Sequence, residues 1–172
     1  MVSNAPNSQS YNFTHMFSMT DLRGPLPVVK ACPDTLLSFI ENNSDFSIFL
    51  YLVKLANFRE RLNEKQANFT LFLPSDKELL KRFNENVFTN MDPTTAWYIV
   101  KSSLLRDRIS SEILEDSPAA YYYTDSQPNR MFITNMNGQT YINNCIRIIK
   151  KDILTKNGII HIIDSLIIPN VL

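Results

Sequence analysis

The chain has 172 residues, no formal net charge and 44% hydrophobic residues. This length is typical of one domain, and such a chain buries about 70% of its unfolded surface, so it needs no disulfide or metal to fold. The balanced charge argues against a general nucleic-acid binder, and three glycines are too few for a phosphate-cradling loop.

Residues 1–33 are predicted to form an N-terminal arm followed by an extended lead-in, and residues 34–172 to form the domain. The first 21 residues have no apolar period, and three prolines fall between residues 21 and 33. The start of the chain also lacks the basic and apolar regions of a secretory signal. No stretch reaches the length of a transmembrane helix. These features favour an intracellular or virion location over conventional secretion.

Helices are predicted in the first part of the domain. Asp34 is expected to cap a short helix, and Ser44 or Asp45 a second one that runs to about residue 57. A strand over residues 69–73 is followed by a helix capped by Ser75 or Asp76. Residues 84–90 are predicted to be a loop. A helix then runs from Asp92 to about residue 105, with an apolar face that includes Trp97, Val100 and Leu104.

Strands are predicted from residue 121 onwards, at 121–124, 131–135, 139–143 and 145–151, with a last strand after residue 157. Asn137-Gly138 and Asn157-Gly158 indicate hairpin turns, and a type I′ turn is expected at the second pair. Six isoleucines occupy ten positions from Ile159 to Ile168, which predicts a central strand buried on both faces. Helices first and hairpins last indicate an α+β fold.

Residues 68–80 read Asn-Phe-Thr-Leu-Phe-Leu-Pro-Ser-Asp-Lys-Glu-Leu-Leu, and residues 157–169 read Asn-Gly-Ile-Ile-His-Ile-Ile-Asp-Ser-Leu-Ile-Ile-Pro. These two stretches resemble the conserved motifs of the fasciclin (FAS1) domain family. Between them, residues 136–140 are similar to the family's Leu-Asn-Gly hairpin, and residues 45–49 to its Asp-Phe-Ser helix start. Trp97-Tyr98 stands where the family usually has Tyr-His. The resemblance covers residues 36–169.

This resemblance implies a β-wedge or sandwich with helices packed along one side, and a non-enzymatic module for adhesion or protein–protein interaction. In matrix proteins of the family, an Asp-Ile pair ahead of the Asn-Gly has been proposed to bind integrins. Asp152 and Ile153 occupy that place and are the candidate partner-binding residues. The family-motif residues expected to have structural roles are Thr70, Phe72, Pro74, Asp76, Asn157, Gly158, His161, Asp164 and Pro169.

Each candidate residue has a plainer alternative. For Asp152 the commoner alternative is a solvated aspartate at a strand end, with Ile153 in the core. His161 is expected to be a core or half-buried histidine making one hydrogen bond, rather than a pH switch, and Asp164 is expected on the opposite face of the strand. No paired spacing of Cys and His indicates a metal site, and no cofactor is expected.

Several properties stay open at this stage. Cys32 and Cys145 are predicted to be free and mostly buried, although one disulfide is arithmetically allowed. Asn12, Asn42 and Asn68 are glycan acceptors if the chain enters a secretory lumen.

The function predicted is an adhesion or interaction module with protein partners, such as an integrin-like receptor, and with no nucleic-acid partner. The alternative is a structural component of a larger assembly, such as a minor capsid or virion protein of a large DNA virus, where the partners would be neighbouring capsid subunits.

Overall fold

A computed structural model of the chain describes residues 32–126 and 129–169. The predicted arm and lead-in, residues 1–33, therefore lie outside the described residues except for Cys32 and Pro33. Within the described part, helices precede the hairpins, as expected.

Seven α-helices are present in the described residues, and all seven precede the last five strands. Thr35, and not Asp34 as predicted, caps the first helix through its side chain, because the carboxylate of Asp34 instead pairs with Lys65 and Lys156. The helices are α1 Leu36–Glu41, α2 Ser47–Leu55, α3 Arg59–Leu62, α4 Asp76–Arg82, α5 Glu85–Thr89, α6 Pro93–Ser102 and α7 Ser111–Glu115, with a 3₁₀ turn at Ser44–Phe46 before α2.

Two helix predictions were wrong. The segment predicted to be a loop at residues 84–90 contains α5, because the side chain of Asn84 caps a short helix that buries Phe88. The apolar face predicted for α6 was correct at Val100, but wrong at Trp97 and at Leu104, which lies in the strand that follows the helix. Trp97 is exposed with the ammonium of Lys101 over its ring, while Ile99 and Val100 face the core.

Among the described residues, seven strands form one sheet with the order β2-β1-β7-β6-β5-β4-β3. The edges approach each other, because an isolated bridge joins Leu105, at the end of β2, to Thr124, just beyond β3. The result is a nearly closed wedge. The strands are β1 Phe69–Pro74, β2 Leu104–Leu105, β3 Ala119–Tyr123, β4 Arg130–Met136, β5 Gln139–Ile142, β6 Ile146–Thr155 and β7 Gly158–Ile163.

Strand β7 is central, as its isoleucines predict. It pairs in parallel with β1 and antiparallel with β6, and all six of its residues are buried. Because side chains alternate along a strand, Ile160 and Ile162 join one apolar cluster and Ile163 joins another. The first cluster contains the buried faces of α1 to α6, so these helices lie along one side of the sheet.

The second Asn-Gly pair does not form the predicted type I′ turn. Asn137 and Gly138 both have positive φ, as that turn requires, but neither Asn157 nor Gly158 does. Gly158 instead is required by a close approach of backbone, since a Cβ there would lie 2.6 Å from the carbonyl oxygen of Phe69.

Asn157 is fully buried and bonds to main chain far away in sequence. Its Oδ1 accepts from the amide N–H of Leu36 at 2.8 Å, and its Nδ2 donates to the carbonyls of Leu62 and Glu64, both at 3.0 Å. The hydroxyl of Thr155 donates to the same Oδ1 at 3.2 Å. This side chain therefore ties the hairpin to α1 and to the end of α3.

Both cysteines are free, as predicted, but both are exposed and not buried. Cys32 lies where the described chain begins, and Cys145 lies in the turn between β5 and β6. Neither position is covered by the two apolar clusters, which explains the exposure.

Candidate partner-binding site

Asp152 lies at a bulge inside β6, and not at the end of a strand as considered above. The register with β7 jumps from Lys150 opposite Ile162 to Ile153 opposite Ile160, so β6 has one extra residue here. Asp152 takes up this extra length with a left-handed φ of 61°. Aspartate tolerates that conformation better than most residues, and the bulge turns its side chain out to solvent.

His161 fixes the bulge from beneath. It is fully buried on β7, where its Nδ1 accepts from the amide N–H of Asp152 at 3.2 Å and its Nε2 donates to the carbonyl of Ile109 at 2.8 Å. Only the neutral ring with a proton on Nε2 satisfies both partners. Burial accordingly lowers the pKa of His161 below its ordinary 6.5. The side chain makes two hydrogen bonds, one more than expected.

Thr70 positions the segment that His161 contacts. Its hydroxyl donates to the carbonyl of Asp107 at 2.6 Å and accepts from the amide N–H of Ile109 at 2.7 Å. The side chain of Phe72 packs its ring against that of His161, with centroids 5.5 Å apart. The two motif strands β1 and β7 therefore hold the bulge jointly.

The carboxylate of Asp152 bonds to the first residue of α7. Oδ1 accepts from the amide N–H of Ser111 at 2.8 Å, and Oδ2 accepts from the Ser111 hydroxyl. Burial by itself would raise the pKa of Asp152, but the hydrogen bonds from Ser111 outweigh it and hold the pKa below 3.8. A carboxylate has about four acceptor positions, and Ser111 uses two, so the exposed Asp152 keeps the capacity to accept from a partner.

Ile153 faces inward and packs partly against the first apolar cluster. The larger exposed apolar side chains nearby are Leu154 and Ile149 on β6, at 53% and 42% exposure, and Ile113 on α7 at 47%. An ion pair between Lys151 and Glu115 joins β6 to α7. We call these exposed parts of β6 and α7, with Asp152, the bulge surface.

Asp76, like Asp152, accepts hydrogen bonds from a serine at the start of a helix. Its Oδ1 accepts from the amide N–H of Ile48 at 2.8 Å, and its Oδ2 accepts from the amide N–H of Ser47 at 3.2 Å and from the Ser47 hydroxyl. The N-cap residue of α2 makes no side-chain hydrogen bond to the helix. Asp76, at the start of α4, caps α2 instead. Pro74 ends β1 two residues earlier.

Asp164 and Pro169 follow β7. Asp164 accepts from the amide N–H of Arg147 at 2.9 Å through Oδ1, and Arg82 donates to its carbonyl at 3.0 Å. Its partners thus lie on β6 and α4 and do not include His161. Pro169 is buried at the end of the described chain.

Sequence reasoning missed the residues that complete the bulge. Ser111 is 41 positions from Asp152, and Ile109 is 52 positions from His161. Nothing in the local sequence at Ser111 indicates what approaches the start of α7. The amide network of Asn157 was missed for the same reason.

Within residues 32–126 and 129–169, no group of three His, Cys, Asp or Glu side chains is placed to hold a metal ion. In the same residues, no helix combines the length and apolar character needed to cross a bilayer.

A family model described as the Fasciclin domain matches residues 44–169, and the chain therefore belongs to the fasciclin domain family. Its structure is similar to that of a FAS1 domain pair from the insect cell adhesion molecule Fasciclin I. The TM-score is 0.68 and the sequence identity 23%, over 79% of this chain and 51% of that chain. The chain thus spans about half the length of the pair. The α+β fold with FAS1 architecture is confirmed, and family membership indicates an adhesion or interaction module.

Proposed function

We propose that this chain is a non-enzymatic interaction module that binds a protein partner through the bulge surface, with Asp152 as the polar contact and Ile153 as part of its apolar support. The observation that supports this most is the rigid outward presentation of Asp152. Its backbone is held by His161, its carboxylate by Ser111, and acceptor positions remain toward solvent. Preorganisation of this kind lowers the entropy lost on binding.

The chemistry of the surface fits a partner that offers a cation beside an apolar patch. A carboxylate with unused acceptor positions suits a partner's basic side chain or bound metal ion. The exposed side chains of Leu154 and Ile113 supply apolar area at its sides. An integrin-like receptor meets this description, and it is the partner class that the family resemblance implies.

A cell-attachment assay tests the proposal. Integrin-bearing cells are allowed to attach to immobilised wild-type protein, to Asp152→Asn and to Leu154→Ser. Asparagine keeps the left-handed backbone and still accepts from Ser111, so Asp152→Asn removes the charge with little change in fold. We expect both variants to lose most attachment, and chelation of divalent ions to abolish attachment to the wild type.

Asp76→Asn is the matched control, because Asp76 also caps a helix through a serine but lies in the other motif. Circular dichroism should show native spectra for all variants. Equal attachment to wild type and Asp152→Asn would contradict the proposal. The alternative role as a structural component of a larger assembly, such as a virion, stays a prediction. Deletion of residues 1–21 tests it, because the domain should then stay folded but be lost from the assembled particle.

A further inference from the structure

Strand β3 is an open edge of the sheet. It pairs only with β4, whereas the strand at the other edge, β2, has just two residues and both are buried. The residues of β3, Ala119–Tyr123, read Ala-Ala-Tyr-Tyr-Tyr and carry no charge. Proteins usually protect an edge strand by shortening it or by placing charges, prolines or bulges in it. Since β3 has none of these, its edge is available for pairing.

The main-chain groups that point to this open edge follow from the pairing with β4. The carbonyl of Pro118 and the N–H of Thr124 both bond towards β4. Because hydrogen-bonded pairs alternate along antiparallel strands, the residues that point the other way are Ala119, Tyr121 and Tyr123. Among the described residues, no group outside the sheet bonds to the main chain of Ala119 or Tyr121. The edge therefore offers unused donors and acceptors.

The side chains of these three residues lie on one face of the sheet and are exposed. Tyr121 is 61% exposed and Tyr123 is 59% exposed. The ring of Tyr121 is held in place, with its centroid 4.7 Å from that of Phe132 and 4.9 Å from the guanidinium carbon of Arg130. A side chain that is ordered before binding loses less entropy on binding.

A second copy of the chain fits this edge in an antiparallel register. With a twofold axis at Tyr121, that residue pairs with Tyr121 of the second copy, and Ala119 pairs with Tyr123 of the second copy. The large side chain of Tyr123 then lies beside a small one. Directly opposite residues on one face are close enough to pack, so the rings of Phe132 and Tyr121 form an aromatic row across the axis.

Charge does not oppose this pairing, because the chain has no formal net charge and β3 carries none. Arg130 lies opposite Tyr123 on β4. The two copies of Arg130 would be three strand spacings of about 4.8 Å apart across the sheet and four residues of about 3.4 Å apart along it. Their separation of about 20 Å exceeds the Debye length of about 8 Å, so their repulsion is screened.

The area available for the pairing is modest. An aromatic side chain buries about 150–250 Å² when it is fully covered, and each copy contributes the exposed parts of Tyr121 and Tyr123. Together with two short strands, this is less than the roughly 1,200 Å² at which stable interfaces begin. The association should therefore be weak and reversible.

We propose that two copies of the chain associate through β3 into an antiparallel dimer with one continuous sheet. The dissociation constant is on the order of 100 µM, as suits a small interface. This interface does not depend on the bulge surface or on its proposed partner, so Asp152→Asn should dimerise as the wild type does.

Sedimentation equilibrium of the full chain from about 10 µM to about 1 mM tests the proposal. A reductant is present because both cysteines are exposed. Tyr121→Lys places two like charges opposite each other and should weaken the dimer at least about tenfold. Tyr51→Lys, on α2 at 41% exposure, is the matched control and should dimerise normally. A wild type that stays monomeric, or a Tyr121→Lys that dimerises equally well, would overturn the proposal.

Two further variants test the register. Ala119→Tyr fills the space that Tyr123 of the second copy needs and should weaken the dimer, while the double variant Ala119→Tyr/Tyr123→Ala exchanges the two sizes and should restore it. Stronger association of Ala119→Tyr would mean non-specific contact between tyrosines and would contradict the proposed register.

Amide hydrogen exchange identifies the surface that pairs. The outward N–H groups of Ala119 and Tyr121 should become protected as the concentration rises. Those of Ala120 and Tyr122 point towards β4 in the monomer and should not change. A dimer that forms without new protection at Ala119 and Tyr121 uses another surface, and the proposal is then wrong.

Discussion

The turn and the bulge of the β6–β7 hairpin use polar residues in opposite ways. At the turn, Asn157 is fully buried, and four hydrogen bonds from or to the chain's own groups use its amide. At the bulge, Asp152 is exposed, and Ser111 and His161 fix it without using all of its acceptor positions.

The two residues therefore have different roles within one motif. Asn157 stabilises the fold, and Asp152 is held in a position where a partner can reach it. A buried amide whose donors and acceptors are all used by the protein can do nothing further, so Asn157 acts on stability alone. A carboxylate that is held in place but still faces solvent can meet a partner. Changes at the turn should therefore lower stability most, and changes at the bulge should act on binding more than on folding.

The largest expected effect is that of Asn157→Ala. It leaves the N–H of Leu36 and the carbonyls of Leu62 and Glu64 buried without partners, so we expect a loss of about 4 kcal/mol in the free energy of unfolding. Urea denaturation measures this loss. Asn137→Ala, in the exposed hairpin turn, is the control and should cost about 1 kcal/mol. Similar losses in the two variants would contradict a special role for the buried amide.

Gly158→Ala should come next, at about 3 kcal/mol. The added Cβ would lie 2.6 Å from the carbonyl oxygen of Phe69, and since this is backbone in the central pair of strands, it cannot move aside cheaply. Gly138→Ala meets no atom within 4 Å and suffers only from its positive φ, so it should cost about 1 kcal/mol. The same urea experiment compares them. If Gly138→Ala were the more damaging change, backbone conformation and not close approach would be the reason for glycine.

Asp76 and Asp152 both cap helices, and the stability lost on replacing each one can be compared. We expect Asp76→Ala to cost about 2 kcal/mol, because Asp76 caps α2, which buries Phe49, Leu52 and Val53. Asp152→Ala should cost about the same in total. The loss of the cap costs about 1 kcal/mol, because α7 has five residues and buries only Leu114, and alanine at the left-handed φ of 61° costs about 1 kcal/mol more. Chemical denaturation again gives both values. A larger loss at Asp152 would mean that the bulge contributes to the core as well as to the surface.

Much of the fold could be predicted because its information is local. The isoleucines of β7 predict a central strand, and the caps at Ser75 and Asp92 begin helices as expected. The type I′ turn predicted at Asn157-Gly158 was wrong. The pair favours a tight turn in isolation, whereas here the side-chain amide of Asn157 bonds to Leu36, 121 residues away. The contacts of Asp152 with Ser111 are equally remote. Local propensity carries no information about such pairings, and they are the contacts that distinguish the turn from the bulge.

The smallest expected effect is a pH dependence of stability that arises from His161 at the bulge. The pKa of His161 is lowered in the folded protein, so below pH 6.5 the unfolded chain binds more protons and stability falls as the pH drops toward the folded pKa. The slope is at most about 1.4 kcal/mol per pH unit.

Protonated Nδ1 would face the N–H of Asp152 and break that bond, and the neighbouring Lys151 adds to the repulsion. The amide resonance of Asp152 should therefore shift on acidification while that of Ile48, beside Asp76, stays in place. His161→Gln, which does not titrate, tests whether this histidine is the source of the pH dependence. A pH dependence of stability that survives in His161→Gln would assign it elsewhere and leave the bulge without a proton-linked contact.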